Sequence, residues 1–286
     1  MSFTLALIFS IQLGPNAGQI APSGEPEELI ELRRRNALKA ESEENAAPTR
    51  LEECLALAAE SPIRGADFAR GWREVAKGEE IAQSTHCLGF VHVRSERYGE
   101  ALASFATARS EASKDDPAYR ARLGGMAGNA ALADGNPQAG EPWLAQAVDD
   151  AKKAEDPILA ASLAVDLARA LVDLGRTKEG KTKLLEARTL HPANDYAWLL
   201  SAVLERRDDN LAEAKGLVEE ALSLDPENPL TLLEAGLIAA LSGDDDTARG
   251  HLQEVLSVAP QTPLALTAAD YLGQLEPAPA TPEPAP

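Results

Sequence analysis

The chain has 286 residues, 44% of them hydrophobic and only 4% aromatic; 53 Ala and 40 Leu make up nearly a third of it. That length can bury a sizeable core, and the Ala and Leu excess predicts closely packed helices. The formal net charge of −19, from 46 acidic against 27 basic residues, excludes a nucleic-acid binder, whose affinity needs Lys and Arg, and general adhesion to anionic membranes.

The N-terminal residues 1–21 contain an almost wholly apolar run from Phe3 to Leu13. It suits the hydrophobic region of a secretory signal, although no Lys or Arg precedes it and no tidy small-x-small site follows. The alternative is a loosely docked N-terminus. The run falls short of the roughly 20 residues that span a bilayer. Residues 22–49 are rich in charge and read as a linker; a solvated helix over Glu27 to Asn45, carrying Arg33 to Arg35, is the competing reading. Residues 50–78 predict a degenerate helix pair, Leu51 to Glu60 and Ile63 to Lys77.

A repeat follows. Pro192, Pro226 and Pro260 are spaced by 34 residues, each after a helical run (EARTLHP, EALSLDP, EVLSVAP). Sliding by that period aligns 161–194, 195–228 and 229–262 without a gap, and two earlier units, 82–117 and 121–157, align with longer exits. One column holds Gly89, Gly128, Ala168, Ala202 and Gly236; another holds Ala101, Gly140, Gly180, Ala214 and Ala248. Phe105, Leu144, Leu184, Val218 and Leu252 form a large apolar column. Small residues let two helix axes approach, and the large column fills the space between pairs. Gly135, Gly175 and Gly243 suit the left-handed stop of a first helix, and Asp208, Asp209, Asp244 and Asp245 the start of a second. Residues 263–275 predict a capping helix, and 276–286 a proline-rich extended tail.

Leu88, Gly89, Tyr98, Ala101, Phe105 and Ala108 in the first clear unit, with Trp198, Ala202, Ala214, Ala221 and Pro226 in the fourth, resemble the tetratricopeptide repeat family. The resemblance covers roughly 82–262. It implies an all-α, right-handed superhelical solenoid of antiparallel helix pairs. There are departures: Gly124 stands where the fourth unit has Trp198, and His92 and Glu205 fill a column usually large and apolar. Pro142 falls inside a second helix, which predicts a late start or a kink. In such a stack, equivalent positions on successive first helices are neighbours. A 33-residue offset brings Cys54 under Cys87, so the two are a disulfide candidate if the chain is exported; two buried thiols are the alternative.

No catalytic constellation, cofactor motif or metal set is recognisable. His86, Cys87, His92 and Cys54 lack the paired spacing of a zinc site, and Gly124, Gly125 and Gly128 lie within a helix rather than after a strand. His191 sits at a helix end, where it offsets the dipole.

What remains is surface. First helices line the concave side, and positions three and four apart face inward. Phe90, Arg122, Asn129, Arg169, Tyr196, Leu199, Val203, Arg206, Leu233 and Leu237 are therefore the expected partner-binding groove, joined by Gln83, His86, Gly125, Val165 and Leu230. This set is largely apolar, with arginines and no acid. Residues 195–262, by contrast, carry 14 acids against 4 bases. The expectation is a non-catalytic scaffold that holds a peptide or helix of another protein bearing apolar anchors and carboxylates. Homo-oligomerisation through Leu230, Leu233 and Leu237 is the alternative. Location follows the N-terminus: periplasmic or secreted if 1–21 is a signal, otherwise cytoplasmic.

Overall fold

The computed structural model describes residues 48–275, so the readings placed on 1–21, on most of 22–49 and on 276–286 lie outside the described residues. Thirteen α-helices and no strand occupy that range. They are α1 (Arg50–Glu60), α2 (Pro62–Val75), α3 (Glu79–Arg94), α4 (Tyr98–Glu111), α5 (Pro117–Ala133), α6 (Pro137–Lys153) and α7 (Pro157–Asp173). Then follow α8 (Thr177–Leu190), α9 (Asp195–Arg207), α10 (Leu211–Leu224), α11 (Pro229–Leu241), α12 (Asp245–Val258) and α13 (Pro263–Leu275). Each helix packs on its sequence neighbour, and alternate helices α1 and α3, α5 and α7, α9 and α11, and α11 and α13 also meet. That connectivity is an all-α solenoid of six antiparallel pairs closed by a single helix.

Local chemistry sets the helix starts. Ser61, Asp116, Asn136, Asp156, Asn194, Asn228 and Asp244 each accept a backbone amide of the helix they precede. In five of these the next residue is a proline, whose missing N–H costs nothing at that position. Gly135, Gly175 and Gly243 end first helices at φ +71°, +75° and +78°. Asp244 caps α12 as expected, but Asp208 and Asp209 start nothing. Asp208 closes α9 as its C-cap, and Asp209 takes the left-handed turn position itself, at φ +62°. Pro142 does not delay α6 either. Asn136 and Pro137 fix the start one turn and more earlier, and the proline is carried inside the helix.

The repeat columns are the core. Gly128 and Gly140 bring α5 and α6 together so closely that a β-carbon on Gly128 would lie 2.4 Å from Leu144 Cγ, and one on Gly140 2.9 Å from the Gly128 carbonyl. Phe105, Leu144, Leu184, Val218 and Leu252 are all buried, as are Ala101, Ala214 and Ala248. The longer exits differ in kind. In the second unit α6 gains a helical turn beyond Ala147, whereas in the first the extra residues after Ala108 form the link to α5.

Polar ties cross the boundaries. Arg73 of α2 donates to both carboxylate oxygens of Glu111 in α4 and to the Ile81 carbonyl, and Thr85 joins the same carboxylate. This guanidinium holds the Glu111 carboxyl below its ordinary range. Arg109 donates to the buried Asp150, with Arg120 and Lys153 nearby. The Cys54–Cys87 disulfide joins α1 to α3, with Cα atoms 6.2 Å apart and both side chains fully buried beside Trp72.

Candidate interaction groove

The inward stripe of the first helices divides into two rows. One row is packed. His86 in α3 is buried against Phe105 and Tyr119, with Nδ1 3.2 Å from the Tyr119 hydroxyl, and burial pulls its pKa down to about 4. Gly125 in α5 faces α7, where a β-carbon would fall 2.4 Å from Leu163 Cδ2. Val165 and Leu199 share that register and are 3% and 4% exposed. Leu199, expected in the groove, is therefore a packing residue: a position that faces the next first helix cannot also face a ligand.

The other row is accessible. Phe90, Asn129, Val203, Arg206 and Leu237 are half-buried, Arg122 and Arg169 are exposed, and Leu233, in the packed register of Val165 and Leu199, is half-buried against the Leu252 cluster. Tyr196 and Leu230 stand at the starts of α9 and α11, 39% and 47% exposed. Two apolar recesses lie along this row. A cleft of about 200 Å³ between α7 and α9 is floored by Ala168, Val172, Leu200 and Val203, with Arg169 and Arg207 at its mouth. A larger one, about 340 Å³, lies among α11, α12 and α13 and is lined by Leu237, Ala240, Leu241 and Tyr271.

The groove is not free of acids. Asp166 accepts from Asn129 Nδ2 at 2.7 Å and from Arg169 at 3.3 Å. Burial raises its pKa, against the pull of both donors. Glu234 binds Arg206 through two hydrogen bonds, 2.5 and 3.2 Å long. Both acids fall between the positions counted as inward, and a single-helix face pattern does not include them. The only sequence signal was the i, i+3 spacing of Asp166 to Arg169. Arg122 carries no ion pair among the described residues. Asn129 Oδ1 is buried and has no hydrogen-bond partner among the described residues.

Among the described residues no group of three or more His, Cys, Asp or Glu could hold a metal ion. No described helix is long and apolar enough to cross a membrane. A cavity away from the groove, about 360 Å³ between α6 and α8, has a floor of Val148, Leu167 and Leu171. It is flanked by Arg176, which bridges Glu141 and Glu179.

Comparison with known proteins agrees with this build. A tetratricopeptide repeat family model matches residues 165–229 and 202–265. The solved structure of pilF from Pseudomonas aeruginosa superposes with a TM-score of 0.61 at 13% identity, covering 79% of this chain and 97% of that one. BtubC from P. vanneervenii gives 0.59 at 14% identity, covering 82% and 97%. YrrB, a tetratricopeptide-repeat protein with an unusual peptide-binding site, gives 0.50 at 18% identity, covering 72% and 99%. At such identities the likeness is one of fold. No curated protein matches at the level of sequence. Proteins of this build are in general non-catalytic scaffolds for protein interaction. Residues 165–265 match the tetratricopeptide repeat family, and the described residues share the fold of tetratricopeptide-repeat structures.

Proposed function

We propose that the accessible row of the groove binds a peptide or helix of a partner protein through apolar side chains. The observation that carries this is a pair of open apolar recesses, about 200 and 340 Å³, one lined by the half-buried Val203 and the other by the half-buried Leu237, both inward positions of first helices. Each is large enough for an aliphatic anchor of a helical or extended segment.

The charged part of the recognition differs from the three groove arginines of the sequence, Arg122, Arg169 and Arg206. Arg206 is committed to Glu234, so carboxylates on the partner would meet Arg122, Arg207 and the exposed Arg169. We place the chain in an oxidising envelope or extracellular compartment, a reading supported by the Cys54–Cys87 disulfide and the apolar stretch Phe3–Leu13.

Peptides selected by display against the folded chain test the groove. Val203→Glu with Leu237→Glu should weaken the selected peptides by roughly 10-fold or more while leaving helicity intact. Peptides that bind the double variant equally well would reject the groove. A second reading, pairing of copies, is favoured by Leu230 and by Leu241, which is 59% exposed. Sedimentation across a concentration range separates the two, since a persistent monomer rejects pairing.

A further inference from the structure

The cavity between α6 and α8 lies away from the groove, and one change within the repeat accounts for its opening. The position concerned follows Ala108, Ala147 and Ala187, which are buried in the first three units. In the first unit it is Arg109, which crosses to the next unit, lies 5.9 Å from the centre of the Trp143 ring and binds Asp150. In the third it is Arg188, which likewise crosses to lie 4.6 Å over Trp198. In the second it is Val148, whose short apolar side chain cannot cross. The space left has a volume of about 360 Å³, over a floor of Val148, Leu167 and Leu171 and with Ala145 in its wall. That volume is in the range of small-molecule sites.

Ion pairs from α6 to α8 close both ends. Arg176 meets Glu141 at 2.7 Å, one turn before Ala145, and also holds Glu179. One turn past Val148, Lys152 meets Glu186, which Lys183 binds as well. A helix or strand of a partner cannot run through a space closed in this way, whereas a compact molecule can occupy it.

The six charges of the two closures cancel, three of each sign. Asp149 remains. It lines the same cavity, is exposed, and has no ion pair among the described residues. An unbalanced carboxylate beside an apolar floor selects a ligand with an apolar body and one positive charge.

We propose that the cavity between α6 and α8 binds a small organic amine, its apolar body against Val148, Leu167 and Leu171 and its ammonium at Asp149. The site is separate from the groove and does not depend on what the groove binds.

Titration of the full chain with phenethylamine, followed by protein-observed NMR, tests it. Shifts should saturate and be confined to α6, α7 and α8, and phenethyl alcohol and phenylacetate should bind more weakly. Asp149→Asn should weaken the amine by roughly 2- to 5-fold, the scale of an exposed charge pair, and leave the alcohol unchanged. Val148→Arg restores the arginine of the neighbouring units and should abolish binding. Ala145→Phe, at a half-buried wall position, should do the same without placing a charge in the core. Shifts that do not saturate or that centre on the groove, equal affinity for amine and carboxylate, or undiminished binding to Ala145→Phe overturns the site. An Asp149→Asn variant that binds the amine as tightly as the parent overturns the assignment of its charge.

Discussion

Arg206 and Glu234 are joined by two hydrogen bonds across the boundary between α9 and α11, with the carboxylate almost fully buried and the guanidinium half-exposed. The pair fixes the neighbouring first helices in register, and it takes out of service a cation that the sequence offers to a ligand. Removing the arginine alone strands a buried carboxylate. Arg206→Ala should therefore destabilise the fold by about 3 kcal/mol in chemical denaturation, whereas Arg206→Met with Glu234→Gln should recover most of the loss. Equal stability of Arg206→Ala and the parent would show that the pair contributes nothing.

His86 gives the stability a pH dependence. Its folded pKa is about 4 because it is buried, against 6.5 when exposed. The unfolded chain thus binds the extra proton first. Stability contributed by neutral His86 is whole above pH 6.5 and falls as the pH drops toward 4, by about 2–3 kcal/mol. The Glu111 carboxyl, held low by Arg73, adds its loss at lower pH. Denaturation midpoints measured from pH 7.5 to 4.5 should fall, and His86→Gln should flatten the change above pH 5. A parent midpoint flat over that range would contradict the burial argument.

The disulfide ties a weak first pair to the stack. The loop it closes has a sequence separation of 33 residues, for which the loop-closure estimate is about 3–4 kcal/mol. Cys54→Ala with Cys87→Ala should lower the melting temperature by several degrees. A melting temperature indifferent both to reducing agent and to this double substitution would refute that contribution.

Glu96 occupies the left-handed turn position, φ +56°, where later units have Gly135, Gly175 and Gly243. A side chain there costs about 1 kcal/mol, partly offset by the freedom glycine gains when unfolded. Glu96→Gly should be neutral to stabilising by about 0.5 kcal/mol, while Gly243→Glu should destabilise by about 1 kcal/mol. The opposite order in denaturant midpoints would contradict the assignment.

The solenoid was legible because its determinants are periodic. Gly128 against Leu144, or Gly236 against Leu252, is a contact between two columns of one repeat, so the alignment alone pairs them. The cap at Asp244 was legible; at Asp208 and Asp209 the same residue type ends a helix, and type alone does not separate the two uses. The groove was legible only in outline. A face count on one helix gives the inward stripe, but it cannot tell that Leu199 meets a neighbour while Val203 does not, because that depends on how far apart successive first helices stand. Nor could it supply Glu234, which lies 28 residues from Arg206 and is tied to no repeat period.

A stack in which each pair touches only its neighbours comes apart most readily from its ends. The link between α1 and α3 makes the first two pairs open as one piece, so opening from that side must release Trp72 and Phe105 together. While the bond is intact, the cheapest route of unravelling begins at α13. Reduction hands that role to α1 and α2, so the redox state of one bond selects the direction in which the molecule unzips.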